Sequence, residues 1–205
     1  MITLDTISKR FGSITAVDGL SLAIESGEVF GLLGPNGAGK STTIAMTVGL
    51  LSPDSGTVRI DGGDPVDAAV RASLGVAPQS LAIYDEMTAR ENLVFFGSIY
   101  GLDGATRTRR ADELLELVGL TDRARDRVKG FSGGMKRRVN LACALVHDPR
   151  VVLLDEPTAG VDPQSRHAIF EIVRELQDQG RTIVYTTHYM EEAQKLCSRV
   201  GVIDK

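Results

Sequence analysis

Val29-Phe-Gly-Leu-Leu33 runs straight into Gly34-Pro-Asn-Gly-Ala-Gly-Lys40-Ser41. The first segment is a short apolar run, the pattern of a parallel strand buried on both faces. The second fits G-x-x-x-x-G-K-[ST], a loop whose backbone cradles phosphate. That motif carries weight only between a strand and a helix, and the stretch after Lys40 reads as a helix. Gly34, Gly37 and Gly39 let the chain wrap so that its N–H groups converge on phosphate oxygens. The following helix points its positive end at the same anion. In this reading Lys40 neutralises the β- and γ-phosphates and Ser41 ligates Mg2+. Pro35, Asn36 and Ala38 fill out the loop, and Thr42 continues it into the helix.

Outward from this loop the chain divides into three textures. Residues 1–30 read as strands: Leu20, Leu22 and Ile24 alternate with Ser21 and Ala23, and Ser26-Gly27 marks a turn. Another strand is expected over Thr57–Ile60, with Val58 and Ile60 on one face. Residues 85–148 are helical in character. Thr88-Ala-Arg-Glu91 is a capping box, and residues 108–118 place Leu114, Leu115 and Val118 on one side. From 150 the pattern is α/β: a strand at Val151–Asp155, a helix at 163–178, a strand at Thr182–Thr186, a helix at Tyr189–Leu196 and a strand at Arg199–Ile203. Such alternation implies a parallel sheet covered on both faces. The expected plan is one α/β core with an N-terminal β lobe and an inserted helical lobe.

Composition narrows the classes. The chain has 205 residues, 42% hydrophobic and 24% charged, which is ordinary for a soluble globular protein and excludes general disorder. A net charge of -4 argues against an overall basic footprint for nucleic acid. Ten of the 23 Lys and Arg fall between Arg107 and Arg138, against five acids there. That run reads as a solvated helical face or as a docking surface for another protein. Cys143 and Cys197 lie far apart with no CxxC, so buried free thiols are expected rather than a disulfide or a zinc site. No apolar run approaches the ~20 residues of a spanning helix. The opening MITLDTISKRFG holds no long apolar stretch of the secretory type.

Two further elements carry chemistry. Val151-Val-Leu-Leu-Asp155-Glu156 delivers two acids at a strand's C-terminal end, where α/β sheets bind ligands. Asp155 would hold Mg2+ through its water shell, and Glu156 would orient or deprotonate an attacking water. Phe131-Ser-Gly-Gly134-Met135 lies ahead of Asp155. Ser132, Gly133 and Gly134 there make a helix start whose bare N–H groups and hydroxyl suit an anion. A Ser N-cap beside flexible glycines explains the same stretch without any ligand.

Together with the phosphate loop, this run resembles the signature, usually LSGGQ, of the nucleotide-binding subunits of ATP-binding cassette (ABC) transporters. The resemblance extends from Phe11 to Ile203. It implies a P-loop NTPase (RecA-like) α/β fold with a parallel-sheet core, an antiparallel N-terminal β lobe and a helical lobe inserted at about 85–148, as one ABC ATPase domain over 1–205. It implies that Gln79, in Ala77-Pro78-Gln79, touches Mg2+ and water and senses a membrane partner. His188, after Thr186-Thr187, would bond the γ-phosphate, and Ala159-Gly160-Val161-Asp162 would line a subunit interface. Phe11 would stack on adenine, with Val17 beside the same base; without the resemblance Phe11 reads equally as a core aromatic.

The resemblance further implies ATP and Mg2+ held between two copies, head to tail. Ser132, Gly133 and Gly134 of one copy would close over the γ-phosphate on the other, most simply in a homodimer. A separate transmembrane permease would dock near Gln79 and the helical lobe. The subunit would lie in the cytoplasm at the inner face of the membrane, reaching it only through that partner and binding no nucleic acid. The FSGGM signature and Gly-Pro-Asn-Gly-Ala-Gly-Lys-Ser-Thr-Thr-Ile resemble drug-exporter-type subunits, which implies export. This sequence departs from the family pattern at Phe131 for Leu, Met135 for Gln and AGVD for SALD. It also ends at Lys205 inside a strand-like run, where family members continue. Two other uses of the motifs stay open here: an ATPase of DNA repair or translation, and a scaffold that binds ATP without turnover.

Overall fold

The computed structural model describes residues 1–204; Lys205 lies outside them. Strands β1 (Ile2–Phe11) and β2 (Ile14–Ile24) form an antiparallel pair, and β4 (Ser55–Ile60) adds on the other edge of β1, giving the order β2-β1-β4. The second sheet is parallel throughout, in the order β5-β6-β7-β3-β8. Its members are β3 (Val29–Leu33), β5 (Leu74–Ala77), β6 (Val151–Asp155), β7 (Thr182–Thr187) and β8 (Arg199–Val202).

The two-residue period of these strands creates two cores. Val152 and Leu154 of β6, with Ile183 and Tyr185 of β7, join the core built from the helices. Val151 and Leu153 of β6, Val184 of β7, and Phe30 and Leu32 of β3 join the core shared with the β lobe. Successive side chains on a strand point to opposite faces, so a strand buried on both sides reads as unbroken apolar sequence. Helix α1 (Lys40–Thr47) contributes Ile44 and Met46 to the β-lobe core. Helix α2 (Ala68–Arg71) is a single short turn before β5.

Between β5 and β6 stand α3 (Ala89–Ile99), α4 (Gly104–Leu117) and α5 (Gly133–Leu145). They share one core with α6 (Pro163–Asp178), to which α7 (Met190–Leu196) adds Leu196. The capping box at α3 is formed: Thr88 Oγ1 accepts from the Glu91 N–H at 3.1 Å, and Glu91 Oε2 accepts from the Thr88 N–H at 2.8 Å. Helix α4 starts at Gly104, four residues before the expected start. Asp103 caps it through the N–H groups of Ala105 and Thr106, and its polar first turn has no apolar period to reveal it. Strand β5 had no counterpart in the sequence reading, because Gly75 interrupts a run of only four residues.

Part of the basic run is engaged within the molecule, although Arg109, Arg123, Arg125, Arg127 and Lys129 are exposed. Lys129 and Arg127 pair with Glu86, and Lys136 pairs with Asp85, tying the turn before α5 to the segment before α3. Arg110 donates to the carbonyls of Leu145 and Val146, and Arg138 to that of Val118. These arginines satisfy the open carbonyl ends of helices. Cys143 is a buried free thiol, pushed up by burial, while Cys197 is half-buried and pushed up to about 12 by the same cause. Among the described residues no helix is long and apolar enough to cross a membrane.

Thr88→Ala should lower the unfolding free energy by about 1 kcal/mol in urea at pH 7. The Thr88 N–H holds the Glu91 carboxyl below its ordinary value. Glu91 therefore stabilises above the ordinary carboxylate range, and its share is lost as pH falls through the lowered value. The midpoint difference between wild type and Glu91→Gln should accordingly shrink on acidification.

Candidate functional site

The order β6-β7-β3 sets three strand ends side by side, and each opens at its C-terminal end into a loop bearing polar groups. β3 continues into the glycine loop that ends in Lys40. Gly39 is the N-cap of α1 with φ +96°, a left-handed conformation that favours glycine. A methyl group on it would also overlap the carbonyl oxygen of Ala16 and crowd Val17. The loop is thus seated against β2. Val17 is buried there and packs in the β-lobe core.

Lys40 Nζ donates to the carbonyls of Gly34 at 2.8 Å and Pro35 at 3.0 Å, and lies 3.0 Å from Glu156 Oε1. Gln79 Nε2 donates to Glu156 Oε2 at 3.3 Å. His188 brings Nδ1 to 3.3 Å from the same oxygen, although that nitrogen makes no hydrogen bond among the described residues. One carboxylate thus gathers a lysine, an amide and an imidazole from three separate loops.

Glu156 is held in an unusual backbone state. Its φ is +45°, a conformation that costs a non-glycine residue about 1–3 kcal/mol. Thr186 in the neighbouring strand fixes it: Thr186 Oγ1 accepts from the Glu156 N–H at 2.9 Å and donates to Asp155 Oδ1 at 2.6 Å. Asp155 therefore keeps its second oxygen for another partner. Ser41 is exposed at the start of α1, and Pro35, Asn36 and Gly37 line the exposed crest of the loop.

The signature residues lie at the start of α5. Ser132 is the N-cap, accepting from the Met135 N–H at 3.2 Å. Ser132 and Gly133 are exposed, but Gly134 is buried. A methyl group on Gly134 would overlap the hydroxyl of Ser165, whose own hydroxyl donates to Asp162. Gly134 is thus required by the close approach of the α5 and α6 starts, a reason separate from the bare N–H groups expected there. Phe11 is 49% exposed with Lys9 over its ring, so it is not a core aromatic.

Some residues at the site escaped the sequence reading. Arg137 donates to the Gln79 carbonyl; its pKa is lowered by burial, against which the charges of Asp155 and Glu156 act. Asn140 donates to the Pro78 carbonyl and accepts from the Ala82 N–H, holding the other side of the Gln79 turn. Within the basic run Arg137 has no local mark that separates it from its neighbours.

A family profile described as "ABC transporter" matches residues 17–159. The chain is 49% identical to the linearmycin resistance ATP-binding protein LnrL of Bacillus subtilis (strain 168), over 100% of this chain and 67% of that protein. It is 48% identical to the Nod factor export ATP-binding protein I of Paraburkholderia xenovorans (strain LB400), over 100% of this chain and 68% of that protein. The chain thus spans about two thirds of the length of both. Among solved structures it resembles the dimeric post-hydrolysis state of the ATP-binding cassette MJ0796 bound to ADP and Pi. That likeness has a TM-score of 0.87 and 29% identity, over 99% of this chain and 94% of that one.

Gly134→Ala should destabilise the fold by about 1–3 kcal/mol, the usual cost of overpacking. Because the clash is with Ser165, Gly134→Ala/Ser165→Gly should be more stable in urea than the sum of the two single changes allows.

Proposed function

The chain belongs to the ABC transporter family, and on that premise we propose that it energises export through a separate transmembrane permease by hydrolysing ATP between two head-to-tail copies. The observation that carries this reading is the convergence of Lys40, Gln79 and His188 on the carboxylate of Glu156, beside Asp155. In this reading one cassette contributes the phosphate loop, Gln79, Asp155, Glu156 and His188 as one face of the site. The exposed Ser132–Gly133 helix start supplies the other face, toward the second copy. The names of LnrL and the Nod factor protein, a resistance protein and an export protein, support outward transport.

The residues divide the work as follows. Backbone N–H groups of Gly34–Thr42 and the α1 N-terminus bind the phosphates. Lys40 leaves its loop carbonyls to neutralise phosphate charge. Glu156 accepts a hydrogen bond from the attacking water, and His188 donates one to the γ-phosphate. Gln79, held through its carbonyl by Arg137, reports on that water to the membrane partner. Phe11, exposed at the end of β1, offers a ring for the adenine to stack on, at the edge of the β lobe that also buries Val17.

Magnesium suits this donor set. It takes oxygen ligands, commonly one or two carboxylates with phosphate oxygens and water. Asp155 has one oxygen occupied by Thr186 and one to spare, and the Ser41 side chain is exposed beside Lys40. Ser41, Asp155 and Gln79 would hold the ion, which when bound offsets charge on the β- and γ-phosphate oxygens.

The permease needs an apolar seat reachable from Gln79. Val48, Leu50, Arg71, Ile99 and Tyr100 line an open groove of about 560 Å3 against β5, the strand that leads to Gln79. Leu50 is 77% and Ile99 61% exposed, an unusual display for large aliphatic residues. A partner seated there places the cassette at the cytoplasmic face of the membrane.

Lys40→Ala should abolish ATP binding measured by titration calorimetry. Glu156→Gln should bind ATP normally and lose about 100-fold or more in phosphate release, the range expected for removal of a general base. Undiminished steady-state hydrolysis by Glu156→Gln would remove that role from Glu156.

A further inference from the structure

A second buried carboxylate lies behind the catalytic loops. Glu192, on α7, is 2% exposed. Three hydroxyls donate to it: Thr158 Oγ1 at 2.9 Å from each oxygen, Tyr185 OH at 3.0 Å and Thr187 Oγ1 at 2.9 Å. One cation approaches, Arg166 Nε of α6 at 3.4 Å. Burying a carboxylate is costly unless it is paired and hydrogen-bonded, and bonds to a charged acceptor are about twice as strong as neutral ones. Burial and the charge of Glu192 push the Tyr185 phenol far above its ordinary range, which keeps it a donor.

Two of the donors, Thr158 and Thr187, adjoin the reacting groups, while Tyr185 donates from within β7. Thr158 lies two residues after Glu156, inside the turn closed by the Ala159 N–H to the Glu156 carbonyl. Thr187 immediately precedes His188. While its hydroxyl donates to Glu192, Thr187 Oγ1 accepts from the Tyr189 N–H at 3.0 Å. One hydroxyl therefore fixes the chain on both sides of His188, and its orientation is set by Glu192. An aliphatic residue at 192 would remove the one carboxylate that these three buried hydroxyls share, leaving Thr158 Oγ1 and Tyr185 OH, 3.4 Å apart, only each other.

We propose that Glu192 is a positioning residue for ATP hydrolysis, holding Thr158 and Thr187 on one carboxylate so that Glu156 and His188 keep their separation. The proposal rests on the roles given above to Glu156 and His188. A carboxylate needed only for folding would change stability and leave the turnover of folded protein intact. A positioning role splits kcat from KM, because Glu192 bonds to no side chain of the phosphate loop, and the loop's link to this cluster, Gly34 N–H to the Thr187 carbonyl at 3.2 Å, is made by backbone that the substitutions leave in place.

The test uses the full chain with ATP and Mg2+, and compares Glu192→Gln, Thr187→Val, Thr187→Ser and His188→Ala. Glu192→Gln and Thr187→Val should each lose about tenfold or more in kcat, as misplaced catalytic groups do, with KM for ATP within about twofold of wild type. Thr187→Ser keeps the hydroxyl and should stay within about twofold of wild type in both constants. In a His188→Ala background Glu192→Gln should cost much less than it does alone, because coupled residues are not additive. If Glu192→Gln fails to fold, Thr187→Val, which deletes one hydroxyl, carries the test. Wild-type kcat in Thr187→Val alongside a defective His188→Ala overturns the proposal alone. Wild-type turnover in His188→Ala overturns the reading of the site and this proposal with it.

Discussion

Lys40 and Glu156 place opposite charges 3.0 Å apart, with side chains only 4% and 7% exposed. Without nucleotide each charge offsets the other, since an unpaired buried charge costs several kcal/mol. That requirement governs the sheet. The pair comes from β3 and β6, which are not neighbours, so β7 must lie between them in matching register. Thr186 on β7 completes the join, linking the Glu156 backbone to the Asp155 carboxylate. The left-handed turn at Glu156 is sustained by these contacts and aims its carboxylate at the lysine.

The rest of the fold supplies walls for that arrangement. One face of the sheet packs on α1 and the β lobe, the other on α3 to α6. The helical segment is tied back by arginines and lysines that reach helix ends and the Asp85–Glu86 turn. Its basic character is thus partly spent on contacts within the molecule, although Arg109, Arg123, Arg125, Arg127 and Lys129 remain exposed. An apolar surface also stays open around Leu50 and Ile99. The α5 start, with its exposed Ser132 and Gly133, is set against α6 through the contact of Gly134 with Ser165.

Local signals were legible in the sequence. The apolar period of Ile169, Ile172, Val173 and Leu176 placed α6 at 163–178, and the fold has it at Pro163–Asp178, capped by Asp162 with Pro163 in the first turn. The unbroken apolar runs of β3 and β6 announced buried parallel strands; the glycine loop and the strand-end acids marked Lys40 and Glu156, and the family resemblance added Gln79 and His188. Long-range pairing was not legible. Glu192 sits beside Glu191 in a short helix and reads as one more surface acid, yet it is nearly sealed from water by hydroxyls from two other elements. Arg137 reads as part of a basic run, yet it holds the Gln79 turn. In each case the partner lies far along the chain, where no local period records it.

In the proposed reaction a second copy completes the site once ATP is bound. The direct measurement is light scattering after size exclusion on Glu156→Gln, with ATP–Mg2+, with ADP–Mg2+ and without nucleotide. A dimer is expected with ATP and a monomer in the other two conditions. A protein that binds ATP yet stays monomeric at saturating nucleotide and high concentration would contradict it.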